Sequence, residues 1–293
     1  MKRLLSALLT MLCCLAAAGQ TGLTVSELLY QPFSKEAEYV ELYNNSDVAV
    51  ELSDYHIVRW VGDSLGKHYA LPSHFVGPHD YVALTKDAAS VAANYTVKYA
   101  GKVVECQLPT YPNDGGSVIL TTADSVVVDR FDYSPDMHSR LLRNKYGISL
   151  ERRSFSRPTN DAANWFSASS TSGYGTPGYE NSQSTETLVE EASFVFSSDI
   201  VSPDGDGYQD WLEITYLLDD GTLMAKMEVY DAHGIRVRVL LNNGLLGTHG
   251  SVIWDGRADN GTLLPRGQYI VHTTVYDTTG MRQVLRKVVA VIL

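Results

Sequence analysis

The sequence predicts an all-β protein, built as two stacked-sheet domains in tandem behind an N-terminal leader. Three observations carry this reading. Apolar and polar residues alternate with period 2 along most of the chain, and no stretch sustains helical periodicity over several turns. Clusters of Asn, Asp, Gly and Pro interrupt these runs at short intervals. A polar, acidic lapse at 181–191 (NSQSTETLVEE) divides the 293 residues in two, as expected at ~150 residues per domain.

The leader is read from residues 1–19. Lys2 and Arg3 precede an apolar run, LLSALLTMLCCL, which is too short for ~30 Å of hydrocarbon but suits a signal peptide. Ala16, Ala17, Ala18 and Gly19 supply small residues for cleavage. Cys13 and Cys14 follow Thr10, Met11 and Leu12, which disfavours a lipoprotein. No later segment is long and apolar enough to span a membrane as a helix. An exported chain is expected, at the cell surface, outside the cell or in the periplasm.

The first domain is expected over 23–180, with strands at 24–29, 39–44, 56–60, 81–85, 117–121 and 125–133 and a short helix at 87–93 (DAASVAA). After the linker at 181–191, strands at 193–196, 212–217, 224–231, 236–240, 251–254, 268–276 and 285–292 fill a second domain over 192–293. Seven strands in ~100 residues match an immunoglobulin-like β-sandwich.

Charge and cysteine content narrow the chemistry. Acidic residues outnumber basic ones 34 to 23, and loss of Lys2 and Arg3 takes the formal charge from −11 to −13. Such a surface repels a phosphate backbone, so nucleic acid is not an expected partner. Of three cysteines, only Cys106 remains after the leader, so no intramolecular disulfide is available. Cys106 reads as an apolar filler.

The first domain resembles the lamin-tail family. The residues carrying the resemblance are VSELLY (25–30), EYVELYNNSD (38–47), ELSDYHIVRW (51–60), SLERRS (149–154), NDAANWFSAS (160–169) and YGTPGYENS (174–182). The resemblance implies an immunoglobulin-like sandwich, with Trp165 plugging its base. The second domain resembles the FlgD-like immunoglobulin module and the C-terminal modules of gliding-associated, Bacteroidetes-type surface proteins. That likeness rests on SPDGDGYQDWLEITY (202–216), MEVYDAHGIRVRVL (227–240) and SVIWDGRADNGTLLPRGQYIVHTTVYD (251–277). It implies a structural module that can serve type IX secretion.

The most specific chemical pattern is SPDGDGYQDWLE. With Ser202 as position 1, oxygen side chains fall at 1, 3, 5, 9 and 12 and Gly207 at 6, the spacing of an EF-hand loop. Calcium takes 6–8 oxygens at ~2.3–2.6 Å, and acidic residues around a glycine turn can direct them inward. The candidate ligands are Ser202, Asp204, Asp206, Tyr208, Asp210 and Glu213. Ser202 replaces a charged ligand, so affinity is expected on the order of 10⁻⁴–10⁻³ M. The alternative is a turn whose Asp side chains cap backbone N–H groups.

Other constellations read as structural. Asp255, Asp259 and Asn260 fit a hairpin turn, and His68, His74 and His79 lack zinc spacing. Glu38 and Glu41, three apart on a strand, alternate faces and do not make an acid/base pair. The basic residues Arg140, Arg143, Lys145, Arg152, Arg153 and Arg157 read as a solvated face. No nucleophile elbow, H-E-x-x-H or Walker loop occurs. The expected function is therefore non-enzymatic: a scaffold or adhesion protein whose partner is a protein or an envelope polysaccharide. The competing expectations are an assembly component of a secretion system and a carbohydrate-binding accessory module.

Overall fold

The computed structural model describes residues 22–186, 193–219, 221–280 and 282–292. The expected leader at 1–19 and the last part of the expected linker, 187–191, lie outside the described residues. Two immunoglobulin-like β-sandwich bodies are present, as the alternation predicts.

The first body contains β1 (Leu23–Leu29), β2 (Tyr39–Asn44), β3 (Tyr55–Val58), β4 (Tyr69–Ala70), β5 (Tyr81–Thr85), β6 (Val103–Glu105), β7 (Gly116–Thr122), β8 (Val127–Tyr133), β9 (Leu150–Arg152) and β10 (Trp165–Ser167). One sheet has the order β6-β5-β2-β1-β9-β10, and the facing sheet β8-β7-β3-β4. Val40, Leu42, Val82 and Leu84 from the first meet Ile57, Val118, Leu120 and Phe131 from the second in one buried core. Trp165 closes that core, 2% exposed, stacked on Phe131 at 3.5 Å with its indole N–H donating to the Thr159 carbonyl. The expected helix forms as α1 (Ala88–Asn94), where the Asp87 carboxylate accepts from the Ser90 N–H. It covers one end of the outer face of the six-stranded sheet through Val91 and Tyr95, against Leu29, Tyr39 and Ala83.

Three details depart from simple alternation. The run expected at 56–60 ends at Val58, and Trp60–Val61 instead pairs with Ser64–Leu65 around Gly62, whose φ is +59°. The strands β9 and β10, absent from the expected set, are three residues each and too short to show a period. In β1, a bulge between Val25 and Glu27 re-phases the strand, so Val25 and Leu28 both enter the core while Glu27 turns to the outer face.

The second body contains β11 (Ser193–Phe196), β12 (Ile200–Val201), β13 (Leu212–Leu217), β14 (Met224–Asp231), β15 (Arg236–Leu245), β16 (His249–Trp254), β17 (Gly267–Tyr276) and β18 (Arg282–Val291). Its sheets run β11-β13-β16 and β12-β18-β17-β14-β15. Trp254, Tyr216, Met227, Val271 and Val289 fill the space between them. The seven expected strands are present; the eighth, two-residue β12, pairs in parallel with β18.

Residues 181–184 are not an open linker. Asn181, Ser182, Gln183 and Ser184 are buried, and the segment 169–184 lies as a strap against the first body. A polar composition reads as solvent-facing, but here the polar groups face buried partners. Removing the largest core anchor gives a direct check: Trp165→Ala should cost about 3–5 kcal/mol in urea unfolding of the first body.

Candidate functional site

Two places could carry function: the acidic loop after β12 and the junction between the bodies. In the loop, the structure brings together Asp204, Asp206 and Asp210, with one carboxylate oxygen from each mutually within 4.8 Å. Gly205 and Gly207, at φ +82° and +87°, supply the left-handed turns that fold the chain back on itself. Each carboxylate also caps backbone. Asp210 accepts from the Gly205 and Gly207 N–H groups at 2.7 and 2.8 Å, Asp204 from Asp206, and Asp206 from Tyr208.

The remaining expected ligands divide. The Ser202 hydroxyl lies 3.4 Å from an Asp204 oxygen. The Tyr208 side chain is 69% exposed. Glu213 stands apart on β13, where it lines the junction between the bodies. Three carboxylates thus converge, and that of Glu213, the expected twelfth-position ligand, is not among them.

The other sequence candidates are structural. Asp255, Asp259 and Asn260 accept from the N–H groups of Arg257, Val239 and Thr262. His79 bonds to Asp47 at 2.9 Å, while His68 packs edge-on to His56. The basic residues disperse: Arg152 is buried among the backbone carbonyls of Val25, Ser154 and Arg157, and Arg157 pairs with Asp161. Cys106 packs against the core, and burial pushes its thiol up to about 12. Glu38 and Glu41 do occupy opposite faces, and Glu38 pairs with Lys86 at 3.5 Å.

At the junction, a cleft of about 680 Å³ opens between the outer face of β13 and β16 and the first body. Its walls carry Lys98, Tyr99, Lys102, Glu180, Glu213 and His249, with hydroxyls from Ser169, Thr171, Ser172 and Thr215. Lys98 sits 3.9 Å above the Tyr179 ring, and Lys102 pairs with Asp80 at 2.5 Å. Burial lowers the pKa of His249, opposed by Glu180 and reinforced by Lys98. The lining is mostly polar, and Tyr99 is 54% exposed.

Sequence reasoning missed what lies beneath the strap. Glu41, Glu27 and Glu151 are register neighbours on β2, β1 and β9, all fully buried on the outer sheet face. The strap supplies their hydrogen bonds. Thr176 N–H donates to Glu27 at 3.0 Å, Gly178 N–H to Glu41 at 2.7 Å, and the Ser182 hydroxyl and Gln183 N–H to Glu151 at 2.7 and 3.0 Å. Tyr39 and Ser149 add hydroxyl donors to Glu27. Burial raises the pKa of all three carboxyls. Hydrogen bonds partly offset the rise at Glu27, the Glu27 charge adds to it at Glu41, and Glu151 is pushed up to about 8. The available signal was a glutamate next to an apolar core residue in three separate strands: SEL, VEL and LER.

The fold and these sites define a tandem β-sandwich protein with a polar junction. Over residues 16–135, the chain matches the family described as Lamin Tail Domain, so that similarity includes Glu27 and Glu41 and ends before Glu151 and the strap. No curated protein matches the chain. Among solved structures it is similar to FlgD from P. aeruginosa, at 21% identity over 28% of this chain and 61% of that one, with a TM-score of 0.23. It is also similar to dimeric latent PorU from Porphyromonas gingivalis, at 10% identity over 92% of this chain and 34% of that one, TM-score 0.28. For PorZ, an essential surface component of the type IX secretion system of the same bacterium, identity is 11% over 92% of this chain and 39% of that one, TM-score 0.25. The chain spans less than two thirds of each of these three.

Because Asp210 caps two backbone donors, Asp210→Ala should destabilise the second body by about 1–2 kcal/mol even in EDTA, read from its melting transition.

Proposed function

We propose that the chain is an exported, non-enzymatic scaffold or adhesion protein of the cell surface or periplasm. The observation that carries this reading is the docking of the two sandwiches by direct hydrogen bonds. Ser170 donates twice to the Leu245 carbonyl, Thr171 meets the Tyr216 hydroxyl at 2.5 Å, and Thr248 N–H donates to the Ser182 carbonyl. Two bodies held this way act as one stiff unit that presents sheet faces and loops, which suits holding partners apart or together. Among the described residues no helix is long and apolar enough to cross a membrane. The lamin-tail match supports a binding role for the first body, and the net charge turns that role away from nucleic acid towards protein or envelope polysaccharide.

The polar, hydroxyl-lined junction cleft with its exposed Tyr99 favours polysaccharide as a second reading, that of a carbohydrate-binding accessory module. In either case, calcium at Asp204, Asp206 and Asp210 would offset two of the three clustered negative charges and stiffen the loop leading into β13.

Proteolysis of intact cells followed by mass spectrometry tests the location. A surface protein is shaved, with its mature terminus near residue 19 or 20, and an intracellular protein with an uncut leader refutes the proposal. Calcium at ~100 times Kd should stabilise the second body by ~2.7 kcal/mol. Equal melting in excess calcium and in EDTA would remove calcium from the account.

A further inference from the structure

The strap makes two sets of contacts at once. Its inner side solvates the glutamate row, and its outer side holds the second body. Ser182 joins the two: its hydroxyl donates to Glu151 and accepts from the Ser169 N–H, while its carbonyl accepts from Thr248. Beside it, Gln183 donates its backbone N–H to Glu151, and its side-chain amide reaches the Gly221 and Leu246 carbonyls at 3.2 and 3.3 Å.

The inner contacts are best completed by at least one proton on the row. The Thr176 hydroxyl lies 3.1 Å from a Glu27 oxygen and 2.9 Å from a Glu151 oxygen, yet it has one hydrogen to give. With the Asn181 amide oxygen also 3.4 Å away, both carboxyl contacts are full two-centre hydrogen bonds only when one of these carboxyls is protonated and donates to Thr176. Glu27, with three donors on one oxygen, is the member best suited to keep a charge. Glu41 receives one N–H, and its other oxygen is buried without a partner. Full ionisation would place three carboxylates on adjacent strands, ~4.8 Å apart, away from water.

We propose that the strap 169–184 is a proton-held latch: protonation of the glutamate row keeps it seated, and ionisation of the row releases both the strap and the docked second body. The titratable groups facing the row are Tyr39, Tyr81, Tyr95 and Tyr179 of the first body and Tyr216 of the second. Burial raises the pKa of each of them, so they keep their protons while the carboxyls titrate. Lys98, Lys102, Glu180 and His249 of the second body lie on the outer side of the strap, with Lys98 against Tyr179, Lys102 against Asp80, and burial lowering the pKa of His249.

The direction follows from linkage. A carboxyl that holds its proton when the strap is closed and loses it when the strap opens favours closure at low pH. That advantage disappears as pH rises from the ordinary value of 4.5 through the closed-state value of about 8 at Glu151.

Hydrogen exchange of the full chain, corrected for intrinsic base catalysis, tests the latch. Protection of the Thr176, Gly178 and Gln183 amides should fall at least about tenfold per pH unit between pH 6 and 8, with the Thr248 amide falling in step. In Glu151→Gln, which is neutral and nearly isosteric, the slope should flatten. If that variant does not fold, Glu41→Gln should also give a shallower slope than the native chain. Native protection that is constant across this range overturns the proposal. So does a Thr248 amide that stays protected while the strap opens, or a variant slope equal to the native one.

Discussion

Burying carboxyls on the outer face of a sheet sets the terms for the rest of this molecule. A glutamate side chain removed from water must keep its proton or be met by donors. Three of them side by side cannot be satisfied by their own strands, whose backbone groups are already committed to the ladder. The chain meets most of this demand with one segment whose backbone amides and hydroxyls face inward, joined at Glu27 by the Tyr39 and Ser149 hydroxyls. The Gly, Ser, Thr and Asn content of the segment fits it for this role. Small side chains allow close approach, and Gly178, at φ +83° and tight against Lys102, turns its N–H to Glu41.

The same segment explains why the two bodies are docked rather than loosely strung. Its position is fixed from below, so its outward carbonyls and the Gln183 amide are held ready for Thr248, Gly221 and Leu246. The junction cleft is a by-product of this arrangement, walled on one side by the strap and on the other by β13 and β16. The second body is simpler. Its core is apolar, its turns are capped by their own Asp and Asn side chains, and its acidic loop stands out in solvent.

Much of the architecture was legible in the residues. Alternation placed the long strands, most clearly in the second body, where β13 and β17 bury one side chain in two, and the alanine-rich stretch DAASVAA marked α1. Trp165 was recognisable as a core plug. The failures share a cause: they occur where period 2 is broken or where polar residues are buried. The run expected at 56–60 stops at Val58, and β9 and β10 are too short to display any period. The stretch after Glu180 looked like a tether because its composition is hydrophilic, whereas its partners are carboxyls brought from distant strands. In the acidic loop Asp204, Asp206 and Asp210 lie together, as their spacing around two glycines suggests. Glu213 lies outside that cluster because the strand that follows carries its side chain to the junction.

The strap's partners have a consequence for how the chain folds. Asn181 donates to the Ser26 carbonyl 155 residues upstream, and Gly178 to Glu41 137 residues upstream. Contacts at such separation carry a large loop-closure entropy and lower the rate of folding. The strap can find its seat only after β1, β2 and β9 have assembled beneath it. Until then the first sheet displays bare acids to water, and water solvates them at no cost. Completion of the sandwich is thus also the moment of their dehydration.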